Sequence, residues 1–187
     1  MRFFLTEDSG SALLEFAISL PLLTVFVVGI YDFSGAFNQK QKLEQAAQEG
    51  AIIAGAQPTS DIASTTAPDS LLPVVTAIFN SLAASGVLTK ANSGTCNAPG
   101  TASGPTGVAW KYAIPGCSGG NPSDNLLITI DRGWVSGTGS PRSVGSQVTI
   151  VYPYHWQFNS VIQLLIPGAK YAAITQLTES ATVQNQM

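Results

Sequence analysis

Between residues 11 and 31 the chain reads SALLEFAISLPLLTVFVVGIY, an apolar run of about 21 residues carrying one charge, Glu15. As a helix rising about 1.5 Å per residue, the run reaches about 31 Å, the thickness of the hydrocarbon core of a bilayer. A carboxylate ionised near the centre of such a span costs about 2.5 to 3.5 kcal/mol, so it persists only with a cationic partner, with a proton, or for a use.

A cut after Gly10 would supply the cation, because the new α-amine of Ser11 would lie close enough to the Glu15 of a neighbouring copy for both charges to be neutralised in an apolar bundle. The residues Gly10, Glu15 and Phe16, followed by Pro21 and Gly29, resemble the processing site and first helix of the TadE-like family, minor pilins of the Tad (tight adherence, Flp-type) type IV pilus. The resemblance implies a leader over residues 1–10, removed between Gly10 and Ser11 by a prepilin peptidase on the cytoplasmic side. It also implies a membrane-spanning assembly helix over residues 11–56. The partners it implies are that peptidase, other pilin subunits (the major Flp-type pilin and minor pilins) and inner-membrane lipids.

Two plainer readings compete. One is a transmembrane anchor with an incidental glutamate. The other is a secretory signal cut near Ser34, Gly35 and Ala36, but Glu7 and Asp8 stand where such a signal is basic, and the run exceeds the usual 7 to 15 apolar residues.

Helical character continues past Tyr31. AFNQKQKLEQAAQEGAIIAGA is rich in strong helix formers, and Phe33, Phe37, Leu43, Ala47, Ala51 and Ala54 make one apolar stripe opposite Lys40, Lys42, Glu44 and Glu49. The spacing predicts one continuous helix over residues 11–56, about 70 Å long, with its first half in lipid and a kink at Pro21. The segment with Leu43, Ala46, Ala47, Glu49, Gly50 and Ala51 is also similar to the family's paired alanines before Gly-Ala.

Charged residues make up only 10% of the chain, against about 25% in ordinary soluble domains, and the net charge is −3. Nucleic acid calls for a clustered basic face, which this scatter of Lys and Arg does not provide. Arg2 before the span and Lys40 and Lys42 after it leave loop charges nearly balanced, so orientation does not follow from them. Cys96 and Cys117 lie in Gly-, Pro- and Ser-rich surroundings; an even count there suggests a disulfide outside the cytoplasm, with two free thiols as the alternative. A metal pair is opposed by the lone, distant His155.

Beyond the long helix, AQPTSDIASTTAPDS is turn-rich, and residues 71–85 predict a second helix capped by Ser70, with Pro73 in its first turn and Leu72, Val75, Ile78, Phe79 and Leu82 on its apolar face. Strands are expected over residues 108–114, 125–131, 147–156 and 171–183, forming an antiparallel sheet, with a short helix over 160–166. In SQVTIVYPYHW, Val148, Ile150, Tyr152, Tyr154 and Trp156 form one apolar face, and Pro153 requires an edge or a bulge. The loops GTASGPTG and VSGTGSPRSVGS read as spacers or subunit contacts. The fold class is therefore α+β, with residues 57–187 as one extracytoplasmic α+β domain packed on the outer half of the long helix. VTIVYPY and ITQLTES also resemble strands of the TadE-like family.

Catalysis finds no support. His155 sits in an aromatic run, Asp124 and Asp131 are about 23 Å apart along a strand, and no phosphate loop or HExxH stands in the chain. No catalytic, cofactor or metal site is expected. The resemblance implies a minor pilin that initiates, tips or regulates a fibre and supports adherence. The alternative is a membrane-anchored binding or adhesion module outside any fibre, with Tyr152, Tyr154, Trp156 and Phe158 as its contact patch.

Overall fold

The computed structural model describes residues 8–62, 65–118, 124–136, 143–156 and 174–186. Its elements run α1 (Asp8–Ala56), a 3-10 turn (Asp69–Leu71), α2 (Leu72–Ala84), β1 (Thr101–Thr106), β2 (Ala109–Pro115), β3 (Asn125–Ser136), β4 (Ser143–His155) and β5 (Ile174–Gln184). This is the expected α+β, pilin-like arrangement, a long N-terminal helix followed by a short helix and an antiparallel sheet. Two compact units divide the chain: Met1–Ala36 with Trp156–Ala173, and Phe37–His155 with Ile174–Met187.

In the first unit, α1 continues through Pro21. Thr24 Oγ1 donates to the Leu20 carbonyl at 2.9 Å, which satisfies the hydroxyl within the helix. The short helix expected over residues 160–166 lies outside the described residues.

In the second unit, the five strands form a simple meander, ordered β1-β2-β3-β4-β5 and antiparallel throughout. Strand alternation turns Trp110, Tyr112 and Ile114 of β2, Leu126, Ile128 and Ile130 of β3, and Val148, Ile150 and Tyr152 of β4 into one core. Register aligns them in rows, Tyr112 opposite Ile128 and Ile128 opposite Ile150. Over this face lie α2 and the outer half of α1, whose Leu43, Ala46, Ala47, Ala51 and Ala54 are fully buried.

Except for Leu43, that buried helical stripe has no side chain larger than a methyl group. A Cβ at Gly50 would stand 2.5 Å from Ile78 Cγ1 and Cδ1, and one at Gly55 would stand 3.2 Å from the Gln184 carbonyl of β5. Small residues let the helix approach the sheet closely enough for α2 to interlock with it. Phe33 and Phe37, expected on this stripe, are instead both 67% exposed; Ala46 and Gly50 occupy the packed side. Lys40 Nζ meets Glu179 Oε1 of β5 at 3.2 Å, an ion pair between α1 and the sheet edge.

Three polar side-chain tips from the sheet hold the loops of the helical layer. Trp110 Nε1 donates to the Ile62 carbonyl at 3.1 Å, the Tyr152 hydroxyl to the Val87 carbonyl at 3.1 Å, and Arg132 Nη2 to the Gln57 carbonyl at 2.7 Å. The last puts a cation at the C-terminal end of α1, where the helix dipole favours it. Cys96 and Cys117 form a disulfide with Cα atoms 4.9 Å apart, joining the chain before β1 to the chain after β2.

Sequence and structure differ at several points. Ser70 does not cap α2. It lies in the 3-10 turn, where its hydroxyl and its backbone N–H donate to the two oxygens of Asp61, at 2.7 and 2.9 Å. Asp61 is thus the acceptor, because the extra turn moves the helix start to Leu72 and leaves Leu71 at the cap. Leu72 points outward at 37% exposure and Val74 replaces it in the core. β1 occupies GTASGPTG, expected to be a loop; it is exposed except for the partly buried Ala102, so it has no hydrophobic alternation and is held chiefly by backbone pairing to β2. Pro153 lies where β4 extends past its ladder with β3, which ends at Leu127 opposite Val151, so its missing N–H breaks no bond there.

Two predictions follow from this packing. Gly50→Val should overpack the notch filled by Ile78 and lower stability by about 1 to 3 kcal/mol in urea unfolding of the detergent-solubilised protein, whereas Gly29→Val, with no atom within 4 Å, should not.

The backbone and hydroxyl hydrogen bonds from Ser70 hold the Asp61 carboxyl below its ordinary value of 3.8. Its contribution is complete above that value and fades as pH falls through the lower folded pKa. Asp61→Asn should cost about 1 kcal/mol at pH 7, and the gap to the wild type should narrow below pH 3.8. At the alkaline end, burial first, then the charges of Asp61 and Asp69, push Tyr112 up to about 12. Its neutral form supports the fold below pH 10, and that support is lost as pH rises from 10 to 12.

Candidate functional site

α1 from Gly10 onward contains a window apolar and long enough to cross a membrane, and none of that window is buried. Phe16, Leu22, Phe26 and Ile30 are all exposed, far beyond the few hundred Å² of contiguous apolar surface usual on a soluble monomer. Such a face is covered by lipid, by another helix, or by each in turn.

Glu15 is exposed on this helix, and among the described residues it has neither an ion-pair nor a hydrogen-bond partner. Spacings of seven, four and seven put Glu15, Leu22, Phe26 and Phe33 on one side of the helix. The charge is therefore part of the apolar surface and not on a separate polar strip. Ser11 lies four residues before it, one helical turn away.

Glycine positions separate the two halves of α1. At Gly10 and Gly29 an added Cβ would meet nothing within 4 Å, whereas at Gly50 it would strike Ile78. Packing within the chain therefore demands glycine at 50 and gives no reason for it at 10 or 29. Glycine at 10 also makes the helix around the Gly10–Ser11 bond about 1 kcal/mol easier to unwind than alanine would. Pro21 and Phe16 lie on the same exposed run.

The aromatic patch of the alternative reading is not available: Tyr152 and Tyr154 are 4% and 7% exposed, facing inward by strand alternation. Phe158 lies outside the described residues. Trp156 follows β4 and meets Phe33, ring centroids 5.2 Å apart and planes at 63°, an edge-to-face contact.

His155 has neighbours the sequence did not reveal, Asp124 Oδ2 at 3.0 Å and Ser118 Oγ at 3.5 Å. Both contact the same ring nitrogen, Nε2. A Ser-His-acid triad needs the two opposite nitrogens, one to orient and one to take the proton; here both partners meet one nitrogen, so the cluster ties a loop to the end of β4 and does not have the triad's geometry. Asp131 instead accepts from the Gly133 N–H at 2.9 Å. Among the described residues no group of three or more His, Cys, Asp or Glu could hold a metal ion.

Residues 10–51 match the family model described as TadE-like protein. The match ends within α1, so VTIVYPY of β4 and ITQLTES of β5 lie outside it. Comparisons with curated proteins and with solved structures give no match.

Proposed function

With a TadE-like segment over residues 10–51 as the premise, we propose that the protein is a membrane-anchored minor pilin of a Tad-type pilus. It is made as a precursor, cut between Gly10 and Ser11 by a prepilin peptidase, and assembled with other pilin subunits through α1. The single observation that carries this reading is Glu15, without a partner among the described residues, on a helix whose lipid-length apolar window has no buried residue.

In the bilayer, α1 is solvated by acyl chains and the second unit lies outside the hydrocarbon. Cleavage creates a cation at Ser11, since an α-amine has a pKa of about 7.7 to 8. Two opposite charges 4 Å apart at an effective dielectric constant of about 20 attract by about 4 kcal/mol, the size of the burial cost of about 2.5 to 3.5 kcal/mol for a carboxylate in an apolar span. Pairing the Ser11 amine of one copy with the Glu15 of its neighbour therefore makes the burial tolerable only in a matched register. A charge that is costly in lipid becomes the register mark of the bundle.

The role is structural and not catalytic. Being much larger than the short shaft subunit expected of a Flp-type pilus, the chain fits a place where a fibre starts, ends or is regulated, and through it a part in adherence. The membrane is the inner membrane and the second unit is extracytoplasmic, in keeping with the buried disulfide.

The intact mass of the protein recovered from native envelopes should correspond to a first residue of Ser11. A start at Met1 would return the reading to a plain anchor, and one near Phe37 to a secreted domain. Glu15→Ala should leave membrane insertion unchanged and reduce recovery in sheared fibres at least tenfold. Gly10→Val should stop processing without altering the fold, since nothing lies within 4 Å of an added Cβ.

A further inference from the structure

We propose that Trp156, Phe33 and Tyr31 form an aromatic anchor that lies in the headgroup region of the bilayer, so that the chain touches lipid at a point remote in sequence from its membrane span. The inference rests on the reading of residues 11–31 as that span.

Depth follows from helix geometry. Pro21 is the midpoint of residues 11–31, and Phe33 lies twelve residues further on, about 18 Å from the bilayer midplane at 1.5 Å per residue. Hydrocarbon ends at about 15 Å from the midplane and the headgroup region at about 20 to 22 Å, so Phe33 falls between the two. Trp156, with its centroid 5.2 Å from that of Phe33, lies between about 13 and 23 Å from the midplane, a range centred on the headgroup region. Tyr31, two residues nearer the midplane, falls at about 15 Å, where the hydrocarbon gives way to headgroups.

Chemistry matches the place. Tyr and Trp concentrate at membrane interfaces because a broad apolar ring and one polar group suit a layer with hydrocarbon on one side and water on the other. Phe33 and Tyr31 are 67% and 76% exposed, an arrangement costly in water and favourable against the upper acyl chains. The only charge between residues 31 and 37 is Asp32, and it is buried at 2% exposure, so no exposed charge opposes lipid contact there. Phe33 and Tyr31 lie on opposite sides of α1, two residues apart, and each is continuous with the exposed span, so the rings surround the helix at one depth and the occupant is the same bilayer and not a second protein.

The test is depth-resolved tryptophan quenching on the full chain in phosphatidylcholine vesicles with bromine at acyl carbons 6,7, 9,10 or 11,12. The Trp156→Phe variant isolates the contribution of Trp156 from those of Trp110, buried in the core, and Trp134 of β3. The expected result is that the part of the emission lost in Trp156→Phe is quenched most by the 6,7-bromolipid and at least twofold less by the 11,12-bromolipid. In a second variant, Phe33→Ala, the emission of Trp156 should shift to the red as its packing partner is removed. If all three bromolipids leave the Trp156 emission unquenched while the protein resists alkaline extraction, the span stands and the anchor is overturned. If alkaline extraction releases the chain, the span is wrong and the anchor falls with it.

Discussion

A close approach between α1 and the sheet underlies the packing of the second unit. Ala46, Ala47, Ala51 and Ala54, with Gly50 and Gly55, present a helix surface without side chains that could hold the sheet away. Ile78 of α2 fills the space over Gly50, and the Gln184 carbonyl of β5 closes against Gly55. Two elements distant in sequence are thereby referred to one short stretch of helix. The loops that leave this layer are then fixed by donors from the sheet, Trp110, Tyr152 and Arg132, each reaching a loop carbonyl. Such bonds satisfy backbone groups that would be costly to leave unpaired beneath the helices.

The same helix serves two kinds of surroundings. From about Leu43 on, the protein itself covers one side, and Gly50 and Gly55 each have a neighbour that explains them. Before Tyr31 none of the described helix residues is buried, and an added Cβ at Gly10 or Gly29 would meet nothing within 4 Å. A surface built this way is suited to exchange one apolar partner for another, acyl chains for neighbouring helices, because both satisfy it by burial alone. In the proposed function Glu15 distinguishes them, since lipid offers a carboxylate no partner and a cleaved neighbour would offer an amine.

Periodicity made the strands over β2, β3 and β4 legible, because buried apolar residues repeat there every second position, whereas along β5 the alternation is weaker, with Leu177, Ala181 and Val183 only partly buried. It did not reveal β1, whose residues TASGPT are exposed except for the partly buried Ala102 and which joins the sheet chiefly by backbone pairing to β2. Local capping rules placed Ser70 at a helix start, yet Asp61, nine residues earlier, took its two donors. Phe33 and Phe37 were expected on the stripe, but the six residues from Phe37 to Leu43 turn the helix by about 240°, so both face away from the buried side defined by Leu43, Ala47 and Ala54. His155 looked solitary because Asp124 and Ser118, 31 and 37 residues away in the chain, reach it only through the fold.

By itself the sequence determined that the chain has a lipid-length apolar helix with one carboxylate, that good helix formers carry that helix onward, and that alternating segments follow it in an α+β order. These properties are set by residues near one another in the chain, where helix rise, strand alternation and the cost of a charge in hydrocarbon act directly. Only the tertiary structure decided the meander order, the Cys96–Cys117 bond between the two ends of the β1–β2 hairpin, the burial of Tyr152 and Tyr154, and the meeting of Trp156 with Phe33. Each of those joins residues far apart in the chain, and which distant surfaces meet depends on shape and on which side of a helix is small enough to pack, information that no local pattern contains.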